Sequence, residues 1–257
     1  MTISPKELTL TAANIELSGN DLKTVTSDTG KVYYYEYDGT EKTPTVVIKD
    51  GSATVPASEY GVSYSNNKSA GTATVTITDN EGGNYEISVT GTVSFEIRSV
   101  AAVLTGAPQD RSLTYNGAAQ QLVTVGTATG GHIEYKLTSA PVGEPALSGT
   151  FSENIPMGTN AGAYTVEYHV VGDGSYSDGP TGSVTVTIQP KTVTTPTIEL
   201  SQETVTYDGT AKEPDVLAVK DGNNVIPAGE YTVSYSNNTA VGTAKVTITD
   251  VAGGNYT

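Results

Sequence analysis

Apolar residues alternate with Thr, Ser and Gly along most of this chain, and the alternation predicts β-strands. Ala73, Val75 and Ile77 alternate with Thr72, Thr74, Thr76 and Thr78, and Tyr60, Val62 and Tyr64 alternate with Gly61, Ser63 and Ser65. A period of two with one apolar face marks a strand buried on one side. The β-branched Thr residues on the other face hold the backbone extended. Further strands are predicted at Ile15–Ser18, Thr45–Lys49, Val93–Ile97, Ala161–Val166, Ser183–Ile188, Ile198–Ser201 and Val216–Lys220. No amphipathic helix shows in the pattern.

One stretch occurs twice. Tyr60–Tyr85 holds Tyr60-Gly-Val-Ser-Tyr64-Ser-Asn66-Asn67, Gly71-Thr-Ala-Thr-Val-Thr-Ile-Thr-Asp79 and Gly82-Gly83-Asn84-Tyr85, and Tyr231–Tyr256 repeats it at a constant offset of 171. A diverged copy lies between them. Ala161–Val166, Gly174-Ser175-Tyr176 and Val184, Val186 and Ile188 match Ala70–Val75, Gly83-Asn84-Tyr85 and Val93, Phe95 and Ile97, all at an offset of 91. A fixed period of this kind indicates tandem modules. All three carry an early turn: Tyr37-Asp38-Gly39, Tyr115-Asn116-Gly117 and Tyr207-Asp208-Gly209. Asp-Gly and Asn-Gly suit tight turns because both residues tolerate positive φ.

The predicted modules are residues 11–98, 99–190 and 191–257, with 1–10 read as the end of a preceding module and a linker. Thr2-Ile3-Ser4-Pro5-Lys6 matches Thr187-Ile188-Gln189-Pro190-Lys191, so Ile3 reads as the last residue of a strand. Module 1 carries about 13 extra residues within Gly19–Glu36, ending in Tyr33-Tyr34-Tyr35, and module 2 a similar excess around Thr138–Phe151, read as a longer loop or an added edge strand. The joints Ile97–Ala101 and Ile188–Thr192 are short and lack a Gly/Ser tether, which predicts an extended, semi-rigid rod. In module 1 the closing strand starts at Val93, eight residues after Tyr85. The equivalent position after Tyr256 lies beyond Thr257, so module 3 is expected to lack its closing strand and to leave an open edge.

Composition narrows the chemistry. The chain has 257 residues, no Cys, no Trp, two Phe and 16 Tyr, and a formal net charge of −15. The missing Cys excludes thiol catalysis, thiolate metal sites and disulfides. The negative charge argues against nucleic acid and anionic membrane as partners. No segment is long and apolar enough to span a membrane, and Met1–Pro5 has neither the basic start nor the apolar core of a signal peptide. The chain is therefore expected to be an internal fragment of a larger secreted protein.

The Tyr-Asp-Gly turn, Val62-Ser-Tyr64-Ser-Asn66-Asn67, Gly71-Thr-Ala-Thr-Val-Thr-Ile-Thr78 and Gly82-Gly-Asn-Tyr85 together resemble tandem YDG-type and other bacterial Ig-like repeats of large cell-surface, adhesin-like proteins. Leu113–Gly117 and Gly158–Gly162 look like a related repeat of such proteins. The resemblance covers nearly the whole chain, except Gly19–Glu36. It implies an all-β fold of three tandem Ig-like β-sandwich modules, the third truncated, and an extracellular, cell-wall or cell-surface attached location. A β-grasp-like module is the alternative, disfavoured by the lack of an amphipathic helix. The family supplies no catalytic residues.

Candidate sites are few. Tyr33, Tyr35 and Tyr37 fall on one strand face and could form a flat platform for a glycan or peptide, or else pack into their own module. Asp79 with Glu81, and Asp173 with Asp178, put oxygen ligands in single turns, but neither matches a calcium-loop spacing and ordinary turns account for them. His132 and His169 read as solvent-facing strand residues, and recurring Lys49 and Lys220 raise an isopeptide crosslink for which the closing strands hold no Asn. The expected function is a non-catalytic stalk segment of a surface adhesin, with no enzyme activity, no metal and no cofactor. One alternative is a module that binds host glycan or surface protein, with the Tyr-rich insert as its contact. Another is an accessory role on a secreted glycoside hydrolase. The expected partners are neighbouring repeats of the same chain, the chain itself being monomeric, with strand exchange at the open edge of module 3 as a route to association.

Overall fold

The computed structural model describes every residue except Thr29, Pro145, Ala146 and Ser148, and the side chain of Ser27. The described residues are all-β, with no α-helix and three single-turn 3-10 segments. No helix among them is long and apolar enough to cross a membrane. The chain divides into two compact units. The first comprises Met1–Leu104, Ala128–His132 and Val170–Pro180, and the second Thr105–Thr127, Ile133–His169 and Thr181–Thr257. The units do not follow the sequence repeats, because the middle repeat contributes to both.

The first repeat holds β1 (Lys6–Leu10), β2 (Ile15–Ser18), β3 (Lys23–Ser27), β4 (Gly30–Glu36), β5 (Thr45–Asp50), β6 (Ala53–Thr54), β7 (Tyr60–Ser65), β8 (Gly71–Asp79), β9 (Tyr85–Val89) and β10 (Val93–Arg98). One sheet has the order β3-β4-β10-β8-β7, a second β2-β5-β6, and β1 pairs with β9. The alternating residues of the sheets meet in one core that includes Ile15, Leu17, Val46, Ile48, Ala73, Val75, Val93, Phe95 and Ile97. Apolar faces of two sheets closing on each other make a sandwich-type packing. The exposed faces carry the Thr residues, as the period-two pattern predicts.

Two expectations change here. Lys6–Leu10 is not a leftover of a preceding module. It forms β1, pairs in parallel with β9, and buries Leu10 completely in this core. The insert Gly19–Glu36 is not an appendage either. It supplies β3 and β4, and β4 pairs in parallel with the last strand β10 through Tyr34–Glu36. Tyr33 and Tyr35 point inward at 9% and 5% exposure, with Tyr35 edge-on to Phe95 at 5.6 Å. The apolar ring surface of two tyrosines outweighs their hydroxyls once a sheet face is there to cover them.

The middle repeat contains β11 (Val100–Ala101), β12 (Val103–Gly106), β13 (Leu113–Thr114), β14 (Gln120–Gln121), β15 (Thr127–Thr129), β16 (Gly131–Ser139), β17 (Met157–Gly158), β18 (Gly162–Gly172), β19 (Tyr176–Ser177) and β20 (Thr181–Gln189). Its main sheet runs β13-β20-β18-β16. Tyr164, Val166, Val186 and Ile188 are fully buried there. Of the predicted excess around Thr138–Phe151, Thr138 and Ser139 end β16, and Tyr135 bridges to Ser152 just beyond it; Pro145, Ala146 and Ser148 lie outside the described residues.

The third repeat holds β21 (Pro196–Leu200), β22 (Val216–Asp221), β23 (Asn224–Ile226), β24 (Tyr231–Ser236) and β25 (Lys245–Asp250). Its sheets are β21-β22-β23 and β24-β25. β25 matches β8, which carries β10 on its second edge, whereas no described strand lies on the second edge of β25. Its buried apolar residues are only Val219 and Ile226 among those described, and an apolar cavity of about 230 Å³ opens beside them, lined by Ile198, Tyr231, Ile248 and Tyr256.

Candidate functional site at the joints between repeats

The most distinctive chemistry gathers where one repeat meets the next. It starts from the Gly-Gly-Asn-Tyr turn. Gly82 and Gly253 take positive φ, at 85° and 77°. The second glycine is required for another reason. A Cβ on Gly83 would stand 2.3 Å from Glu59 Oε2, and one on Gly254 would stand 2.7 Å from Glu230 Oε2. Those carboxylates fill the space the missing side chains leave.

Glu59 is 5% exposed and accepts three hydrogen bonds: from Asn84 N at 2.7 Å, Tyr85 N at 3.2 Å and Asn84 Nδ2 at 3.2 Å. Glu230 accepts from Asn255 N at 2.6 Å and Asn255 Nδ2 at 2.8 Å. A buried carboxylate is tolerable only when donors surround it, and here the turn provides them. The bond to Nδ2 also fixes the amide so that Oδ1 faces the other way.

The second half of the joint is the early turn of the preceding repeat. Asp38 Oδ1 caps Thr40 N at 2.9 Å, Asp208 does the same for Thr210, and Asn116 for Ala118. Tyr37 N donates to Arg98 O and Tyr115 N to Gln189 O, each at 2.8 Å, so each tyrosine is held at the exit of its own repeat. The ring of Tyr37 then packs edge-on against Tyr176 at 5.1 Å, and that of Tyr115 against Tyr256 at 5.4 Å. Beside them, Ala70 N donates to Ser175 Oγ at 3.4 Å, and Ala161 N to Asn255 Oδ1 at 2.7 Å. Asn255 Nδ2 also reaches Asn160 Oδ1 at 3.3 Å.

These two joints are the same contact made twice. Tyr37 and Tyr115 are equivalent, as are Ala70 and Ala161, Ser175 and Asn255, and Tyr176 and Tyr256. The first joint lies wholly within the first compact unit and the second within the second. An aromatic pair adds about 0.5–1.5 kcal/mol and a hydrogen bond about 1 kcal/mol, so each joint is worth roughly 2 kcal/mol. That restrains bending without welding the repeats together.

Lysines brace the surroundings. Asp38 pairs with Lys42 at 2.6 Å, and Asp208 with Lys212. The lysine beside each, then the hydroxyl and N–H of Thr40 and Thr210, hold both carboxyls well below the usual range. Asp221 is pulled down to about 2 by Lys191 first and by the N–H groups of Thr195 and Thr194. Lys191 is also the residue whose N donates to Asn255 O, as Lys6 N does to Asn84 O.

The other candidates are placed as follows. Tyr33 and Tyr35 are in the core and offer no ring face to a ligand, while Tyr37 is engaged at the joint. Tyr34 is covered by the Arg98 guanidinium at 3.7 Å. Asp79 accepts from Ile87 N at 2.8 Å, Asp173 from Tyr176 N at 3.4 Å and Asp178 from Gly172 N at 3.0 Å, so these carboxylates hold turns, and Glu81 is an exposed turn residue. No cluster of metal-ligating side chains occurs among the described residues. His169 does not simply face solvent: its Nε2 lies 2.9 Å from Glu134 Oε2 and its ring stacks on Phe151 at 4.2 Å. Lys49 donates to Thr54 and Lys220 pairs with Glu199.

Glu59 and Glu230 escaped the sequence reading. The signal was present, since Glu59-Tyr60 and Glu230-Tyr231 stand at the same offset as the rest of the repeat. The sequence matches no known protein family and no characterised protein.

Proposed function

We propose that this chain is a non-catalytic spacer, a stalk segment built of Ig-like repeats of the YDG type, in a bacterial cell-surface protein of the adhesin kind. The observation that carries this reading is the recurrence of one joint. Tyrosine on tyrosine, and an Ala N–H on an Asn or Ser side chain, link repeat to repeat at both junctions. Residues placed for contact between neighbours fit a role in holding distance and direction. The burial of Tyr33 and Tyr35 removes the ring platform on which the glycan- or protein-binding alternative rested.

Two measurements test the spacer reading. Residual dipolar couplings on the whole chain should fit one alignment tensor for the repeats on either side of each joint. An array of host glycans and surface proteins should retain nothing. Separate tensors, or a saturable ligand, would overturn it.

A further inference from the structure

The third repeat carries the same docking face as the first two, with nothing on it. The equivalent of Tyr37 and Tyr115 is Tyr207, and the equivalent of Ala70 and Ala161 is Val241. Tyr37 and Tyr115 are half-buried against their tyrosine partners, but Tyr207 is 61% exposed and Val241 is 85% exposed. A groove of about 180 Å³ joins them, lined also by Val205, Thr210, Lys212 and Asn238. Its frame is set like the occupied one. Asp208 caps Thr210, Asn238 Nδ2 donates to Lys212 O, and Lys212 N donates to Asn238 O, as Asp38, Asn67 and Lys42 do in the first repeat.

The complementary head is at the other end of the chain. Glu59 holds Asn84 as Glu230 holds Asn255, through the backbone N and Nδ2. In the third repeat that leaves Oδ1 to accept from Ala161 N, whereas Asn84 is exposed and its Oδ1 has no partner among the described residues. Tyr85 stands where Tyr176 and Tyr256 stand, at the start of the strand after the turn.

We propose that the Tyr207–Val241 face is a docking site for the Asn84–Tyr85 head of a second copy of this chain. Asn84 Oδ1 takes the Val241 N–H, and the Tyr85 ring packs on Tyr207. The occupant follows from the two filled joints, where the same face holds this same turn. The contact is head-to-tail, so it does not close on itself and generates an open chain of copies. It is small, which puts it among transient contacts with dissociation constants in the sub-millimolar range or above. The inference rests on the joint geometry and not on the spacer role, so a glycan hit would leave it standing.

The test is a ¹⁵N NMR concentration series with sedimentation velocity, using the full chain and two variants, Tyr207→Ser and Asn84→Ala. Both side chains are exposed, and the spectra themselves report folding. Wild type should show concentration-dependent shifts at Gly83–Tyr85 and at Tyr207 and Val241, with an average mass that keeps rising. Each variant alone should lose both sets of shifts. Mixed in equal amounts, they should restore one joint, at the intact head of one and the intact tail of the other, and stop at a dimer. Asn84→Ser should keep association, because Ser175 fills that position at the first joint. Concentration-independent spectra, shifts confined to other surfaces, or a mixture no different from its parts would each overturn the proposal.

Discussion

Replacing Glu230 by Ala isolates the clamp behind the second joint. Glu230 accepts from Asn255 N at 2.6 Å and from Asn255 Nδ2 at 2.8 Å. Hydrogen bonds to a charged group are worth about 1.5–3 kcal/mol each. The turn is only half-buried, so water recovers part of that, and a net loss of about 2 kcal/mol in local stability is expected. The loss should spread beyond the turn. With Nδ2 released, the amide of Asn255 rotates and Oδ1 no longer stands 2.7 Å from Ala161 N. Native-state hydrogen exchange reads this directly. A 2 kcal/mol easier opening speeds exchange roughly 30-fold, and both Asn255 and Ala161 amides should show it. Ala70, whose N–H goes to Ser175 in the other joint, is the internal control and should not change. Glu230→Gln should fall between, since its amide nitrogen can only oppose Asn255 Nδ2 as donor against donor. If Asn255 exchanges faster and Ala161 does not, Glu230 does not position the joint. If Ala70 quickens equally, the variant has loosened the whole chain and the local argument fails.

Other consequences follow from single residues. Asn66 holds φ at 55° and Asn237 at 56°, so Asn66→Ala should destabilise by about 1–2 kcal/mol in urea while Asn66→Gly stays near wild type. Phe95→Ala, at a fully buried position against Tyr35, should lose about 3–5 kcal/mol, with the calorimetric transition of the first unit moving and that of the second staying. Burial pulls the Glu144 carboxyl up, but donors from Asn160 N, Tyr164 Oη and Thr159 N outweigh it and leave it lowered; Tyr164→Phe should therefore cost about 1–3 kcal/mol, and a neutral result would break this account. Asp221 titrates at about 2 in the folded chain against 3.8 when free, so its contribution is whole above about pH 4 and is lost as pH falls through 2. Thermal melts from pH 5 to pH 2 should show that loss in wild type and a smaller one in Asp221→Asn.

How much of this was legible in the sequence depends on how local each signal is. Period-two alternation located β5, β7, β8 and β10, because each strand's own residues carry the pattern. It missed β1 and β9. Lys6–Leu10 and Tyr85–Val89 pair with each other across the whole first repeat, and a parallel pairing has no turn between its strands to announce it. The tyrosines of the insert show the same limit from the other side. Tyr33 and Tyr35 share a face on any strand reading, but which face is covered depends on β10 arriving alongside β4 some sixty residues later. The joints were the least visible feature. Their residues were all within recurring motifs, but recurrence alone does not separate a residue kept for its own fold from one placed for the next repeat.

The Gly-Gly-Asn-Tyr turn shows how those two demands divide within four residues. Gly82 answers to the backbone, with its positive φ, and Gly83 to the carboxylate of Glu59. Asn84 answers to both. Its N–H groups satisfy the buried Glu59 of its own repeat, and the geometry this imposes leaves Oδ1 facing out, the side that Asn255 uses to meet Ala161. Ser175 has no amide and makes only the outward bond, at 3.4 Å rather than 2.7 Å. The two joints are therefore unequal. The one with the clamped asparagine is shorter and better oriented, because a carboxylate inside the repeat sets the side chain before the neighbour arrives. The junction that relies on serine should bend first under load. Exchanging Ser175 for Asn gives no matching gain unless a carboxylate equivalent to Glu59 stands behind it.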